Sequence, residues 1–299
     1  MGLALTEPCT ILEAELLKNS SDVTICADEN FTETDRQRLE FDVRSGMRKL
    51  NLKEGIKFSV SQTPGAHRGL GSGTSVRLAA LEAASILNDI QFKHEELVLA
   101  SGRGGASGIG VRSYFDGGFW LDLGRSATGS SMLPSAQQSL KRFDSLSLPR
   151  IPANEWRVIL ARPERVIGFS GQKEAQFFRD TLPLPEEASF EATYIGLMGL
   201  YASYLSRDFT GFTEAVDAMQ TTKWKRAEWD VNPNPVSLLE QRLRLVGAPC
   251  VGLSSLGPTL FTFVETAAEA EAIVSQLTEC SCVISVAADQ GRQVSYVTR

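Results

Sequence analysis

The chain has 299 residues, 42% of them hydrophobic, and a formal net charge of -6. No stretch approaches the roughly 18 to 20 consecutive apolar residues that a membrane-spanning helix needs, so no membrane partner is expected. The mildly acidic balance argues against broad nucleic-acid binding. The opening MGLALTEPCTILEAELL lacks a basic region and carries Glu7, Glu13 and Glu15, so no secretory signal is expected. The cysteines are Cys9, Cys26, Cys250, Cys280 and Cys282; an odd number in a chain able to build a real core reads as reduced thiols in the cytoplasm. Strand alternation puts Cys280 and Cys282 on one face, but 2 histidines in the whole chain leave few partners for a metal there.

In chain order, CTILEAE (9–15) and DVTICA (22–27) read as paired strands. ETDRQRLEFDVRSGMRKLN (33–51) reads as a helix, with Leu39, Val43 and Met47 four residues apart. GIKFSVSQ (55–62) alternates Ile56, Phe58 and Val60, the pattern of a half-buried strand. Helices are predicted over 74–88 and from His94 to about Ser101, then a loop GRGGASGIG and a hairpin YFDGGFWLDLG (114–124) around Gly117-Gly118. Residues 126–150 are serine-rich and read as a loop or linker. The second half opens with the strand EWRVILARP (155–163), followed by helices over 187–206, 208–220 and 235–246. A strand pair in VGLSSLGPTLFTFVE (251–265), a helix over 266–279 and terminal strands CVISVAA and QVSYVTR complete it. Interleaved helices and antiparallel-looking strands give an α+β class, with expected units 1–150 and 151–299.

HRGLGSGT, residues 67–74, places Gly69, Gly71 and Gly73 ahead of a helix. Glycines there expose main-chain N–H groups, and a helix N-terminus favours an anion. Ser72 and Thr74 add hydroxyls, Thr74 as a candidate N-cap, and His67 and Arg68 add cationic or donor groups. No Lys follows the glycines, so this is not a Walker loop. A glycine-rich turn with a serviceable cap is the alternative.

PGAHRGLGSGT resembles the P-x-x-x-G-L-G-S-[SG] phosphate loop of the GHMP kinase superfamily. GRGGASGIGVRSYFDGGFWLDLG (102–124) is similar to a run found in the β-ribofuranosylaminobenzene 5′-phosphate synthases, a branch that is not made of kinases. GLSSLGPTLFTF (252–263) resembles their late GxSSxGPT loop, and WRVILARPERVIGFSGQKEAQFF (156–178) their strand followed by S-G-x-x-E. GLALTEP (2–8) fits the segment after an early turn; the family's upstream S-R-[IL]-H-x-x-L-x-D-x-x-G segment has no counterpart, which is expected to leave a sheet edge unpaired.

The resemblance implies an N-terminal domain like ribosomal protein S5 domain 2 and a ferredoxin-like C-terminal domain. It implies transfer of phosphoribose from 5-phosphoribosyl-1-diphosphate to an aromatic carboxylic acid such as 4-hydroxybenzoate or 4-aminobenzoate. Carbon dioxide and diphosphate leave, with Mg²⁺ as cofactor, in a cytoplasmic homodimer. A GHMP small-molecule kinase and an inactive paralogue are the alternatives. Gly69, Leu70, Gly71, Ser72, Gly73 and Thr74 are then the diphosphate cradle, with His67 and Arg68 at its edge. Arg103, with Gly104, Gly105, Ser107 and Gly108, is expected to hold a second anion, against a surface ion pair. Ser254 and Ser255 are candidate donors or a polar turn, and Lys173 and Glu174 lie beside the acceptor or in a solvated loop. Asp122 is expected to bind Mg²⁺ or orient Arg103, or to be a structural cap. No protein metal ligands are assigned.

Overall fold

Ile56, Phe58 and Val60 are all buried along the strand Gly55–Gln62, which is the centre of the first sheet in this computed structural model. Residues 1–27, 32–65, 67–124, 146–166, 168 and 171–296 are described. Ile11–Leu17 flanks the central strand antiparallel and Val23–Ala27 flanks it parallel. The two earlier strands therefore do not pair with each other. A parallel neighbour needs a crossover, and the helix Glu33–Lys49 supplies it, burying Leu39, Val43 and Met47. Ile11–Leu17 is an edge strand, open on its other side among the described residues.

The helix Ser72–Leu87 packs on the same core through Val76, Leu78, Leu81 and Ala84. The next helix, His94–Ser101, ends as expected. The predicted hairpin over 114–124 is replaced by a helix, Ile109–Asp116, followed by Phe119–Trp120. Val111, Tyr114 and Phe115 are buried at helical spacing, which outweighs the turn signal of the two glycines. Gly117 at φ 65° and Gly118 at φ 72° instead turn the chain out of the helix. Phe119–Trp120 then pairs with Gly2–Leu3, and Asp122–Gly124 pairs with Leu146–Ser147. Most of the expected linker, residues 126–145, lies outside the described residues.

In the second half, Arg157–Pro163, Gly252–Leu253, Leu260–Val264 and Cys280–Val286 form one antiparallel sheet. Their spatial order is fourth, first, third, second, with the helix Ala267–Val274 before the last strand; this is the ferredoxin-like arrangement. The helix begun at Glu186 passes through a π-helical stretch, Ile195–Tyr201, and ends at Ser206. Phe209–Thr221 and Asn234–Leu245 match expectation, whereas Gln172–Thr181 and Lys223–Asp230 are additional helices. The expected last strand is not formed over 291–296. There Arg292 reaches back to Glu82, 2.7 Å away, and holds the segment by its side chain.

The halves are tied at the main chain: Gly118 N–H donates to the Ala288 carbonyl and Ala288 N–H to that of Ala4, at 2.7 and 2.8 Å. Phe119 stacks on Tyr204 and joins Trp156 and Phe212 in a core shared by both halves, on which Leu70 packs. No described helix is long and apolar enough to cross a membrane.

Candidate active site

The Ser72–Leu87 helix starts without a side-chain cap. Gly71, at φ 71° in the left-handed region, occupies the N-cap position, so the helix begins earlier than predicted and Thr74 lies inside its first turn. The amides of Thr74 and Ser75 donate to the Gly71 carbonyl, while those of Ser72 and Gly73 have no acceptor among the described residues. A Cβ on Gly71 would meet nothing within 4 Å. The loop thus presents free donors and positive helix-end potential to an open space.

Its neighbours are held tightly. A side chain on Gly69, at φ 76°, would run into the Ser254 carbonyl, and Ser254 Oγ donates to the Gly69 carbonyl at 2.9 Å. Ser72 Oγ, buried, donates to the Gly65 carbonyl at 2.7 Å. Each hydroxyl has one proton to give. Ser72 and Ser254 therefore shape the loop, and its main-chain amides are left to the open space at Gly71.

Arg103 follows Gly102, which ends the His94–Ser101 helix at φ 64°. Its Nη2 lies 2.6 Å from where a Cβ on Gly73 would stand, so the glycine makes room for the guanidinium. Arg103 Nε is buried with no hydrogen-bond partner among the described residues. Burial, reinforced by the Arg77 charge, brings its pKa down to about 10. It still carries its proton at neutral pH. Arg77 is itself ion-paired with Asp42. His67, at φ 56°, lies 3.6 Å from Asp35. Burial lowers its pKa, against the pull of Asp35.

Asp122 accepts from Gly108 N–H at 2.5 Å, Ser107 Oγ at 3.2 Å and Gly124 N–H at 2.8 Å. It borders the larger cavity and anchors the turn that follows the buried Gly104 and Gly105. That is the structural cap among the roles expected for it. Glu174, in the first turn of the Gln172–Thr181 helix, has its pKa raised by burial against the pull of Arg103 and Arg38. Lys173 beside it is exposed and lines neither cavity.

Two cavities meet at the loop. A broad one of about 2550 Å³ and a small one of about 220 Å³ share Gly69, Gly71, Arg103, Glu174 and Ser255. The small one adds His67, Arg68 and, from the Glu33–Lys49 helix, Arg38. The broad one adds Trp224, Lys225 and Glu228. Lys225 Nζ donates to Glu228 at 2.5 Å and to the Leu253 carbonyl at 2.8 Å, and Trp224 Nε1 donates to Glu228 at 2.8 Å. Sequence reading missed these residues, although Lys225 and Glu228 stand three apart, at a helical pairing distance.

Residues 41–117 match the family model for the GHMP kinases N terminal domain. The structure of L. major mevalonate kinase in complex with R-mevalonate aligns with a TM-score of 0.70 at 14% identity, covering 95% of this chain and 87% of that one. The fold and the glycine loop thus define a GHMP kinase-like protein. A β-ribofuranosylphenol 5′-phosphate synthase of Methanothermobacter thermautotrophicus is 31% identical over 267 residues, 89% of this chain and 81% of that protein. One from Archaeoglobus fulgidus is 28% identical over 306 residues, 98% of this chain and 91% of that protein. The chain belongs to the β-ribofuranosylphenol 5′-phosphate synthase family.

Proposed function

We propose that the chain joins C1 of 5-phosphoribosyl-1-diphosphate to the ring carbon of 4-hydroxybenzoate that bears the carboxylate. The C1–oxygen bond breaks and diphosphate leaves; the new carbon–carbon bond forms; the carboxylate departs as carbon dioxide. The product is a ribofuranosylphenol 5′-phosphate, the compound in the relatives' name. The observation that carries this reading is the open N-terminus at Gly71 beside an arginine without a partner, in a chain of this family.

Departure of diphosphate builds positive charge at C1 and negative charge on the leaving oxygens. The amides of Ser72 and Gly73 and the Arg103 guanidinium are aimed where the negative charge grows. The ring carbon para to the hydroxyl is electron-rich and attacks C1. Aromaticity returns when the carboxylate leaves, so no base is needed to remove a proton from that carbon. The broad cavity has room for the acceptor, with the loop between it and the small cavity.

Magnesium fits this arrangement as an ion carried on the diphosphate. Among the described residues no group of three His, Cys, Asp or Glu side chains could hold a metal, and Mg²⁺ is commonly bound by one or two carboxylates plus substrate phosphates. Glu174, at the border of both cavities, is the carboxylate that would hold it; Asp122 is engaged by the Ser107-Gly108 turn. Bound there, the ion would neutralise charge on the leaving group.

The test uses the full chain with 5-phosphoribosyl-1-diphosphate, Mg²⁺ and carboxyl-labelled 4-hydroxybenzoate. Labelled carbon dioxide and diphosphate should appear in equal amounts. Diphosphate without label contradicts the reading, as does ADP formed from ATP and a small alcohol.

A further inference from the structure

The Glu33–Lys49 helix crosses beside the glycine loop, and sequence patterning gave it only a structural role. Its cations are treated differently by their surroundings. Arg36 is paired with Glu33 and Glu40 at 2.5 and 2.8 Å. Arg38 borders the small cavity and has neither a hydrogen bond nor an ion pair among the described residues. Arg68 and Arg103 border the same cavity, and their side chains likewise have neither a hydrogen bond nor an ion pair among the described residues.

We propose that Arg38, Arg68 and Arg103 form one anion box in the small cavity, that it takes the diphosphate group, and that Arg38 is a diphosphate-binding residue. This rests on the reading of the loop given above and adds to it both a residue and a side: the diphosphate lies toward the Glu33–Lys49 helix, away from the broad cavity.

Three observations support the assignment. The first is size. At about 220 Å³ the small cavity falls below the roughly 300 to 1,000 Å³ of pockets that enclose drug-sized ligands. It suits a compact group and not a sugar with an aromatic acceptor.

The second is charge. The carboxylates bordering the cavity are Asp35 and Glu174. Asp35 is engaged by Thr32 Oγ1 at 2.8 Å and by His67, which leaves Glu174 beside three arginines. Asp42, just outside, is held by Arg77. Three arginines thus line the cavity against one carboxylate not otherwise engaged among the described residues, and the Arg38 charge itself disfavours protonation of His67, Arg77 and Arg103. An anion with several charges removes that repulsion on binding, and a cleft lined by one sign of charge concentrates such ligands.

The third is the donor set. Guanidinium forks suit phosphate oxygens bidentately. Arg38 belongs to the helix and Arg68 and Arg103 to two loops, and Ser72 and Gly73 line the same cavity.

The experiment is a calorimetric titration of the full chain with inorganic diphosphate, alongside KM for 5-phosphoribosyl-1-diphosphate. Variants are Arg38→Gln, Arg38→Lys, Arg103→Ala and Arg48→Gln. Arg48 is exposed near the other end of the same helix and borders neither cavity, so it removes the same charge elsewhere. Arg38→Gln should weaken diphosphate binding by about tenfold, the lower end for a hydrogen bond to a charged group, and raise KM in step. Arg38→Lys should recover part of the loss, and Arg48→Gln should match the unaltered chain. If Arg103→Ala loses binding while Arg38→Gln retains it, the box is overturned and the loop reading stands. If the unaltered chain does not bind diphosphate, both fall.

Discussion

Lys225 and Arg103 are both cations set against the walls of the same cavity, and their surroundings differ. Lys225 has a carboxylate and a main-chain carbonyl within 2.8 Å. Glu228, only 4% exposed, is fully engaged by Lys225 and Trp224. Arg103 has a buried Nε with no partner among the described residues and a lowered pKa. A saturated buried pair is architecture: here it fixes the GLSSLGP turn, whose Ser254 in turn fixes Gly69. A desolvated cation without a partner is destabilising by itself, and it is kept where a ligand supplies the missing charge. Stability and binding should therefore separate between the two regions.

The largest expected effect is on the saturated side. Lys225→Met leaves Glu228 buried and unpaired, which should cost about 3 to 5 kcal/mol of stability, read by denaturant unfolding. Diphosphate affinity of the folded fraction should change far less. Gly69→Ala comes next. A left-handed φ and a side chain driven into the Ser254 carbonyl should together cost about 2 to 4 kcal/mol. Because that contact also shapes the loop, binding should fall with it. Arg103→Ala should leave stability where it is or raise it by about 1 kcal/mol or less, since it removes a charge that burial penalises. A loss as large as that of Lys225→Met would erase the distinction.

The smallest effect is a pH dependence. Burial lowers the His67 pKa below its ordinary value, and Arg38 and Arg103 add to that while Asp35 opposes it. A base with a lowered folded-state pKa binds fewer protons folded than unfolded, so its contribution falls as pH drops through about 6.5. His67→Asn, a residue that tolerates the left-handed backbone, should lose less of its melting temperature between pH 8 and 5.5 than the unaltered chain. Parallel curves for the two proteins would show that His67 does not titrate in that window.

Legibility in the sequence followed the range of the interactions. Ile56, Phe58 and Val60 declared their strand because alternation is local, and the strand has the predicted bounds. Which strands flank it was not legible, since pairing is decided by the Glu33–Lys49 crossover. The Ile109–Asp116 helix was hidden by two glycines and by a cap at Gly108 with no side chain to announce it. Yet Val111, Tyr114 and Phe115 carried the helical period. At the site, the loop glycines and Arg103 were readable because a glycine run before a helix and an arginine among glycines are local signals. Arg38 and the Lys225–Glu228 pair were not, because their meaning lies in what they meet, or fail to meet, across the fold. Ser72 and Ser254 were readable as positions; that their protons go to main-chain carbonyls, as the polar-turn alternative for Ser254 has it, depends on contacts across the fold.

The most direct measurement is calorimetric titration of the full chain and of Arg103→Ala with 5-phosphoribosyl-1-diphosphate in the presence of Mg²⁺. The variant should unfold like the unaltered chain and bind about 1.5 to 3 kcal/mol more weakly, the range of a hydrogen bond to a charged group. Increasing salt should narrow the gap. Equal affinity in the two proteins, with both folded, would contradict it.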